Sequence, residues 1–354
     1  MSAQNRWNSS ILKGLPEPTG ELDLTNAAPI SVAVVGVGAF GRNHARVYSQ
    51  LAKDGEPVRL VGVVDEDPAR ADAIAKEFNC RAFGSIEQLI RTHSEVQAVS
   101  VVVPTVQHLA TARVLMEAGI DVLIEKPLTS TLAEADQLIA LAKSSGRIAQ
   151  VGHLERFNPA VRATIPLLTR PMFFEVHRLS VFSPRSLDID VVLDLMIHDL
   201  DAVLSFVNSP VKEIRAAGLP ILSDKVDIAN ARVEFQSGCV ANFTASRVST
   251  ERVRKLRFFQ PRQYISIDYG RQDVLVFTVG DRQGAPSANP EIKVFKPEVV
   301  SEEPLHAEIR SFLHSLRTRE QPVVTLQDGH VALAVALEVL AQIESHAGTL
   351  NLAG

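Results

Sequence analysis

Between residues 30 and 152, short apolar runs alternate with stretches of helical periodicity, and no other feature restricts the fold as strongly. The runs fall at 31–36, 59–64, 81–83, 98–103, 120–124 and 147–151. Helix-start signals separate them: Asp67 before Pro68, Ser85 three residues before Gln88, and Thr131 three residues before Glu134. Glycines stand where helices should stop, at Gly119 and Gly146. Apolar strands interleaved with helices bury both of their faces, so residues 30–152 are expected to form a mostly parallel sheet covered on both sides.

The pattern changes after about residue 155. Residues 173–181 alternate as a strand, a helix is expected over 190–207, and further strands are expected at 214–219, 228–235, 240–247, 255–259, 264–268, 274–279 and 292–296. Ser237-Gly238 reads as the hairpin turn between two of them. Helices are expected over 304–317 and 326–345. The expected organisation is a loose arm at 1–29, an α/β domain at 30–152, and an α+β domain at 153–354. The second domain holds a large, open, mostly antiparallel sheet and the closing helices.

Bulk properties narrow the function. With 354 residues, 46% apolar and 22% charged, the chain is ordinary for a globular protein of two domains. A net charge of −5 gives no reason to expect nucleic acid or an anionic membrane as partner. No uninterrupted apolar run approaches the ~20 residues needed to span a bilayer. Cys80 and Cys239 lack the spacing of a zinc site or disulfide framework, which points to inert thiols in a reducing, cytoplasmic setting and to no bound metal.

Gly36-Val-Gly38-Ala39-Phe40-Gly41 joins the first expected strand to the first helix. The first glycine permits a tight turn, the second lets backbone approach a pyrophosphate, and the third lets helix pack on strand, with the helix N-terminus facing the phosphate charge. Asp65, 24 residues on, ends the second strand and is placed to bind the adenosine ribose hydroxyls. Its charge opposes a 2′-phosphate, so NAD is expected over NADP; Arg42 and Arg70 are the only nearby cations that argue the other way. Glu125-Lys126-Pro127 ends the fifth strand, on the edge where such sheets bind ligands, and a lysine there can stabilise a developing alkoxide.

Asp190, Asp194, His198 and Asp201 recur at spacings of four, four and three in an otherwise apolar helix, which places them on one stripe. A carboxylate one turn from an imidazole can orient and charge-stabilise a general base, although a solvated polar stripe has the same spacing. A metal reading of Asp194 and His198 lacks a third ligand at recognisable spacing.

Taken in order, Gly36-x-Gly38-x-x-Gly41, Pro104-Thr105 with His108, Glu125-Lys126-Pro127 and Asp194-x-x-x-His198 resemble the glucose–fructose oxidoreductase/inositol dehydrogenase family, from residue 30 to the C-terminus. The resemblance implies an N-terminal Rossmann domain, a C-terminal domain on a large open sheet, and hydride transfer between a nicotinamide and a sugar or cyclitol carbon. It implies that Gly36, Gly38, Ala39, Phe40, Gly41, Asp65, Pro104, Thr105, His108, Glu125 and Lys126 line the cofactor. Lys126, Asp194 and His198 are then the catalytic groups. Many members carry glycine where this chain has Met196, which adds bulk beside the pair.

Residues 151–159, Val-Gly-His-Leu-Glu-Arg-Phe-Asn-Pro, and 194–201 further resemble a bacterial branch that oxidises the 3-hydroxyl of nucleotide sugars such as UDP-N-acetylglucosamine. The product ketone would suit a downstream aminotransferase. Arg156, Asn158 and Arg178, with Lys126, Asp194 and His198, are the expected substrate contacts, and Arg185, Arg247, Arg252 and Arg254 are further available cations. The alternatives are an inositol or free-sugar dehydrogenase and a non-catalytic NAD-binding regulatory protein. Resemblance and the uncovered sheet face together imply a homodimer or homotetramer.

Overall fold

The computed structural model describes residues 27–182, 189–280 and 290–349. Most of the expected arm and Arg185 therefore lie outside the described residues.

Of the described residues, the first unit comprises 27–154 together with Glu303–Leu333. Its elements alternate as β1 (Ile30–Val35), α1 (Ala39–Lys53), β2 (Val58–Val64), α2 (Pro68–Phe78), β3 (Arg81–Phe83) and α3 (Ile86–Thr92). There follow β4 (Ala98–Val101), α4 (His108–Glu117), β5 (Asp121–Glu125), α5 (Leu132–Ser145) and β6 (Ala149–Gly152). All strand pairs are parallel, in the order β3-β2-β1-β4-β5-β6. That order reverses between β1 and β4, so the carboxyl ends of those strands open a crevice suited to a dinucleotide. The expected caps are present. The Asp67 carboxylate accepts from the N–H groups of Ala69 and Arg70, and Thr131 with Glu134 closes a reciprocal capping box.

The second unit comprises Glu155–Glu302 and the chain from Ala334 onward. After α6 (Pro159–Thr164) come β7 (Phe173–Val181), α7 (Ile197–Phe206), β8 (Val211–Leu219), β9 (Ile228–Phe235) and β10 (Val240–Ser249). Then follow β11 (Val253–Gln260), β12 (Gln263–Asp268), β13 (Asp273–Val279) and β14 (Ile292–Phe295). They form one sheet in the order β14-β13-β12-β11-β7-β10-β9-β8, antiparallel except where β7 meets β10. Alternation puts Phe174, Val176, Phe243, Leu256, Phe258, Ile265 and Val276 on the buried face. Helix α7 seats on that face through Phe206, whose ring lies 6.4 Å from Phe174 and 5.8 Å from Phe258. Truncating Phe258, fully buried, would cost ~3–5 kcal/mol.

One expectation needs correcting. Helix α8 (Pro304–Thr318) does not close the sheet domain. Its Leu305, Ile309, Phe312, Leu313 and Leu316 belong to the core that also contains Val32, Val34, Tyr48, Leu51 and Leu123 of the first unit. An amphipathic helix can cover either domain equally well by pattern alone, which is why periodicity did not decide its partner. Helix α9 (Leu326–Thr349) contains a stretch, Leu326–Gly348, long and apolar enough to cross a membrane by length and composition. Its Leu333, Val335, Ala336, Val339 and Ile343 are instead buried within the protein.

Candidate active site

The glycine turn divides its labour as the sequence suggested. Gly36 sits at φ +84°, and a Cβ there would lie 2.4 Å from the Val102 carbonyl oxygen. A Cβ on Gly41 would lie 1.8 Å from the Gly36 carbonyl oxygen, so α1 could not pack where it does. Gly38 differs: its φ of −60° suits any residue, and a Cβ would meet no protein atom within 4 Å. Neither strain nor packing requires glycine there, whereas close approach of a bound group would. Gly38, Ala39 and Phe40 are exposed at the start of α1, where the first N–H groups of a helix have no intrahelical partner. This turn fits a dinucleotide pyrophosphate.

Asp65 is buried at the end of β2. Its carboxylate accepts from the Val37 N–H at 2.8 Å and the Asp67 N–H at 3.0 Å, and pairs with Arg70 at 3.1 Å. The acid thus ties β2 to the glycine turn. Neither suspect cation stands clear of an acid: Arg70 engages Asp65 and Asp67, and Arg42 engages Glu77 of α2 with 2.9 Å between Nε and Oε2.

His108, at the start of α4, is buried. Its Nδ1 lies 3.0 Å from the Pro127 carbonyl oxygen and its Nε2 lies 2.9 Å from that of Val103. It therefore staples the turn bearing Pro104 and half-buried Thr105 to the turn bearing Glu125 and Lys126. Burial lowers the pKa of its imidazole, while the surrounding carbonyls pull it back up. Lys126 is half-buried and precedes a cis peptide to Pro127. The Glu125 carboxylate turns inward, 3.0 Å from His44 Nε2, and receives the Lys126 N–H at 3.3 Å. His44 was not foreseen; it stands eight residues after Gly36 without a motif to mark it.

In the second unit, the segment bearing the Asp–His pair is not one continuous α-helix. Val192–Met196 forms a π turn, with the Ile197 N–H reaching back five residues to Val192, and α7 begins only at Ile197. A π turn holds one more residue per ring than an α turn, so the step from Asp194 to His198 falls just short of a turn instead of just past it. The two remain on nearly one face, and both are half-buried. The start of this segment is held from a distance. The Asp190 carboxylate accepts the Val226 N–H at 2.9 Å, and the Val191 N–H donates to the Val226 carbonyl at 2.9 Å. The Arg247 guanidinium donates to the carbonyls of Ile189 and Val226 and pairs with Asp227 at 3.2 Å. Burial would raise the Asp227 pKa, but the N–H groups of Leu222, Ile221 and Ser223 and the Ser223 hydroxyl bring it down to about 2.

The arginines expected to meet substrate are engaged within the protein. Arg178 is buried, bridging Asp199 at 2.6 Å and Glu155 at 3.0 Å beneath the Tyr269 ring. Burial would lower its pKa, but the two carboxylates outweigh it and keep it charged. Arg178 therefore holds α7 on β7. Asn158 is also buried. It caps α6 through the Ala160 N–H and donates to Glu155 and to the Tyr269 carbonyl. Arg156 Nε lies 3.5 Å from Asp201, which makes the last acid of the stripe a structural partner. Asp199 and Glu155, which organise this cluster, sit beside recognised motif residues, yet no spacing flags them.

Among the described residues no group of three or more His, Cys, Asp or Glu is arranged to hold a metal ion. Cys80 and Cys239 are free, and burial raises both thiols to about 11, which keeps them protonated and unreactive.

A crevice over a parallel sheet, a glycine turn whose middle glycine faces open space, and a buried acid at the end of the second strand suit a dinucleotide-dependent oxidoreductase. Residues 30–153 match the oxidoreductase family with the NAD-binding Rossmann fold, and residues 175–265 match the GFO/IDH/MocA C-terminal domain. The chain is 37% identical over 313 residues to the UDP-N-acetylglucosamine 3-dehydrogenase of Acidithiobacillus ferrooxidans, which spans 88% of this chain and 96% of that protein. A solved structure of that enzyme superposes with a TM-score of 0.81 at 36% identity, covering 90% of this chain and 98% of the other. The scyllo-inositol 2-dehydrogenase (NAD(+)) of Bacillus subtilis is 27% identical over 235 residues, or 62% of this chain and 68% of that enzyme. The chain belongs to the GFO/IDH/MocA oxidoreductase family and uses NAD.

Proposed function

We propose that this chain oxidises the 3-hydroxyl of a nucleotide sugar of the UDP-N-acetylglucosamine type to a ketone, with NAD preferred over NADP. The observation that carries the substrate is the 37% identity, nearly end to end, with a UDP-N-acetylglucosamine 3-dehydrogenase. When bound, NAD supplies the hydride acceptor. The glycine turn seats the pyrophosphate on the first N–H groups of α1, and Asp65 receives the ribose hydroxyls, from which its charge repels a 2′-phosphate. Phe40, Pro104 and Thr105 line the cofactor edge, which His108 braces. His198 takes the proton from the sugar hydroxyl, and Asp194 orients the imidazole and stabilises its cation. Lys126 stabilises the oxyanion as hydride leaves the carbon. A ketone at that carbon is the substrate a transamination would consume.

The face of the sheet opposite α7 carries a run of rings across paired strands. Phe173 and Phe259 are 6.0 Å apart, Phe259 and Tyr264 are 5.0 Å apart, and Tyr264 and Phe277 are 5.5 Å apart. An apolar stripe of this kind suits a self-complementary contact, and its proposed occupant is a second copy of the chain. Light scattering should show a dimer or larger, shifted towards monomer by Phe259→Glu.

The substrate assignment is tested by adding UDP-N-acetylglucosamine, inositol or glucose to the NAD-bound protein, while thermal stability and NADH absorbance are followed. Stabilisation and NADH formation with the nucleotide sugar alone support the reading. Oxidation of inositol alone would sink it, and a silent response to all three would favour a regulatory NAD-binding protein.

A further inference from the structure

Behind the turn that carries Lys126 lies a buried polar cluster to which the proposed reaction gives no task. Glu308 of α8 is fully buried, and among the described residues neither of its carboxylate oxygens has a hydrogen-bond partner. Its backbone carbonyl accepts from Gln150 Nε2 of β6 at 3.3 Å, and the Gln150 Oε1, also fully buried, has no partner there either. The titratable groups that face it are Glu125 at the end of β5 and Tyr48 of α1, and His44, also of α1, lies on Glu125. Tyr48 is occupied with Ser100 at 2.9 Å. His44 is fully buried, with Nε2 on Glu125 and Nδ1 lacking a partner among the described residues.

Two carboxylates in one dry space cannot both be ionised, and a buried charge without hydrogen bonds is the costlier of the two. Glu125 has His44 and the Lys126 N–H to steady its charge, while Glu308 has neither. The proton therefore resides on Glu308. Burial, reinforced by the charge of Glu125, raises the Glu308 pKa well above the usual carboxylate range. The Glu125 carboxylate packs against Gly152, where a Cβ would lie 2.6 Å from its Oε1.

We propose that Glu308 is a neutral, proton-bearing acid that shares a single negative charge with Glu125, and that it acts as a positioning residue for the turn presenting Lys126. The positioning role rests on the assignment of Lys126 to the proposed reaction; the shared charge does not. Ionising Glu308 would set a second negative charge against Glu125, disturb its bond to His44 and shift the Lys126 N–H that it holds.

The test compares the full-length protein with Glu308→Gln, which keeps shape and neutrality but cannot ionise. Glu308→Leu serves as a second variant without polar atoms. In the ligand-free protein at neutral pH, infrared spectroscopy should show the carbonyl stretch of a protonated carboxyl group that both variants lose. The folded state keeps a proton that the unfolded chain releases above the ordinary glutamate range. Wild-type stability should therefore fall as pH rises from there until Glu308 ionises in the folded protein. Relative to E308Q, the folding constant should drop ~tenfold per pH unit in that window. The alkaline limb of kcat/KM should contain an ionisation that E308Q lacks, with little change in the KM for NAD. The same infrared band in E308Q, or matching pH slopes of stability, would overturn the shared charge. An unchanged alkaline limb would overturn the positioning role. Failure to oxidise any sugar would leave the infrared and stability outcomes readable, so the two readings fail separately.

Discussion

The turn at Gly36–Gly41 and the turn at Val192–Met196 each carry or adjoin residues of the proposed site, but they are held by different means. The first is dictated locally. Gly36 takes a positive φ, Gly41 lets the helix touch the strand, and the residues that make the turn are the residues proposed to serve the ligand. The second contains no glycine at all, and an α-helix would suit its sequence as well. What holds the segment lies elsewhere in the chain, where Asp190 reaches Val226 and Arg247 clasps Ile189, Val226 and Asp227. A locally dictated site should fail when its own residues change, and a remotely anchored one should fail when its distant anchors change.

The sharpest break concerns the proposed reacting groups, Lys126 in the nucleotide unit and His198 just after the π turn. Lys126→Ala and His198→Ala should each lower kcat by ~10²–10⁴ while NADH still binds, as read by steady-state rates and fluorescence titration. Near-normal turnover in either would remove that residue from the mechanism.

Next is Asp227→Ala, which strips the buried Arg247 of its carboxylate and should cost ~3–5 kcal/mol of stability in denaturant titrations. If the anchor matters to the π turn, kcat should fall while NADH affinity does not; the reverse pattern would refute remote anchoring. Its acid dependence has a definite sign. The folded pKa is depressed to about 2 from 3.8, so the contribution is present above about pH 4 and is lost as pH falls towards 2. Asp227→Asn should flatten that acid limb.

Smaller effects belong to the local turn. Gly41→Ala forces a Cβ onto the Gly36 carbonyl and should cost ~1–3 kcal/mol together with NAD affinity. Gly38→Ala should leave the melting temperature nearly unchanged and weaken NAD alone, because only the ligand would meet the new methyl group. Equal losses of stability in the two variants would contradict this division of labour. The smallest expected effect is cofactor choice: kcat/KM with NADP should be about tenfold poorer, ~1.4 kcal/mol, and equal turnover would remove the discriminating role of Asp65.

This contrast also explains how much was legible in the sequence. The alternation of strands and helices from β1 to β6, the caps at Asp67 and Thr131, and the glycine turn follow from short-range rules, and they stand where spacing placed them. The eight-stranded sheet was legible as strands and as one hairpin, β9 with β10, whereas its strand order and its parallel pair, β7 with β10, were not. Arg178 looked like a cation for a diphosphate because nothing near residue 178 reveals that Glu155 and Asp199 converge on it. His44 and Glu308 were invisible for the same reason: each makes sense only beside Glu125, 81 residues from one and 183 from the other.

The placement of α8 bears on how this protein comes into being. The core of the nucleotide-binding unit takes Leu305, Ile309, Phe312, Leu313 and Leu316 from a helix encoded after the whole eight-stranded sheet. A nascent chain that has emerged only as far as residue 152 lacks this part of its own interior, and its apolar surface must wait for about 150 further residues to leave the ribosome. The nucleotide unit is thus first to begin and among the last to close. An excised fragment of residues 30–152 would be expected to aggregate rather than to bind NAD, so the unit read as a domain along the sequence is not an autonomous unit of folding.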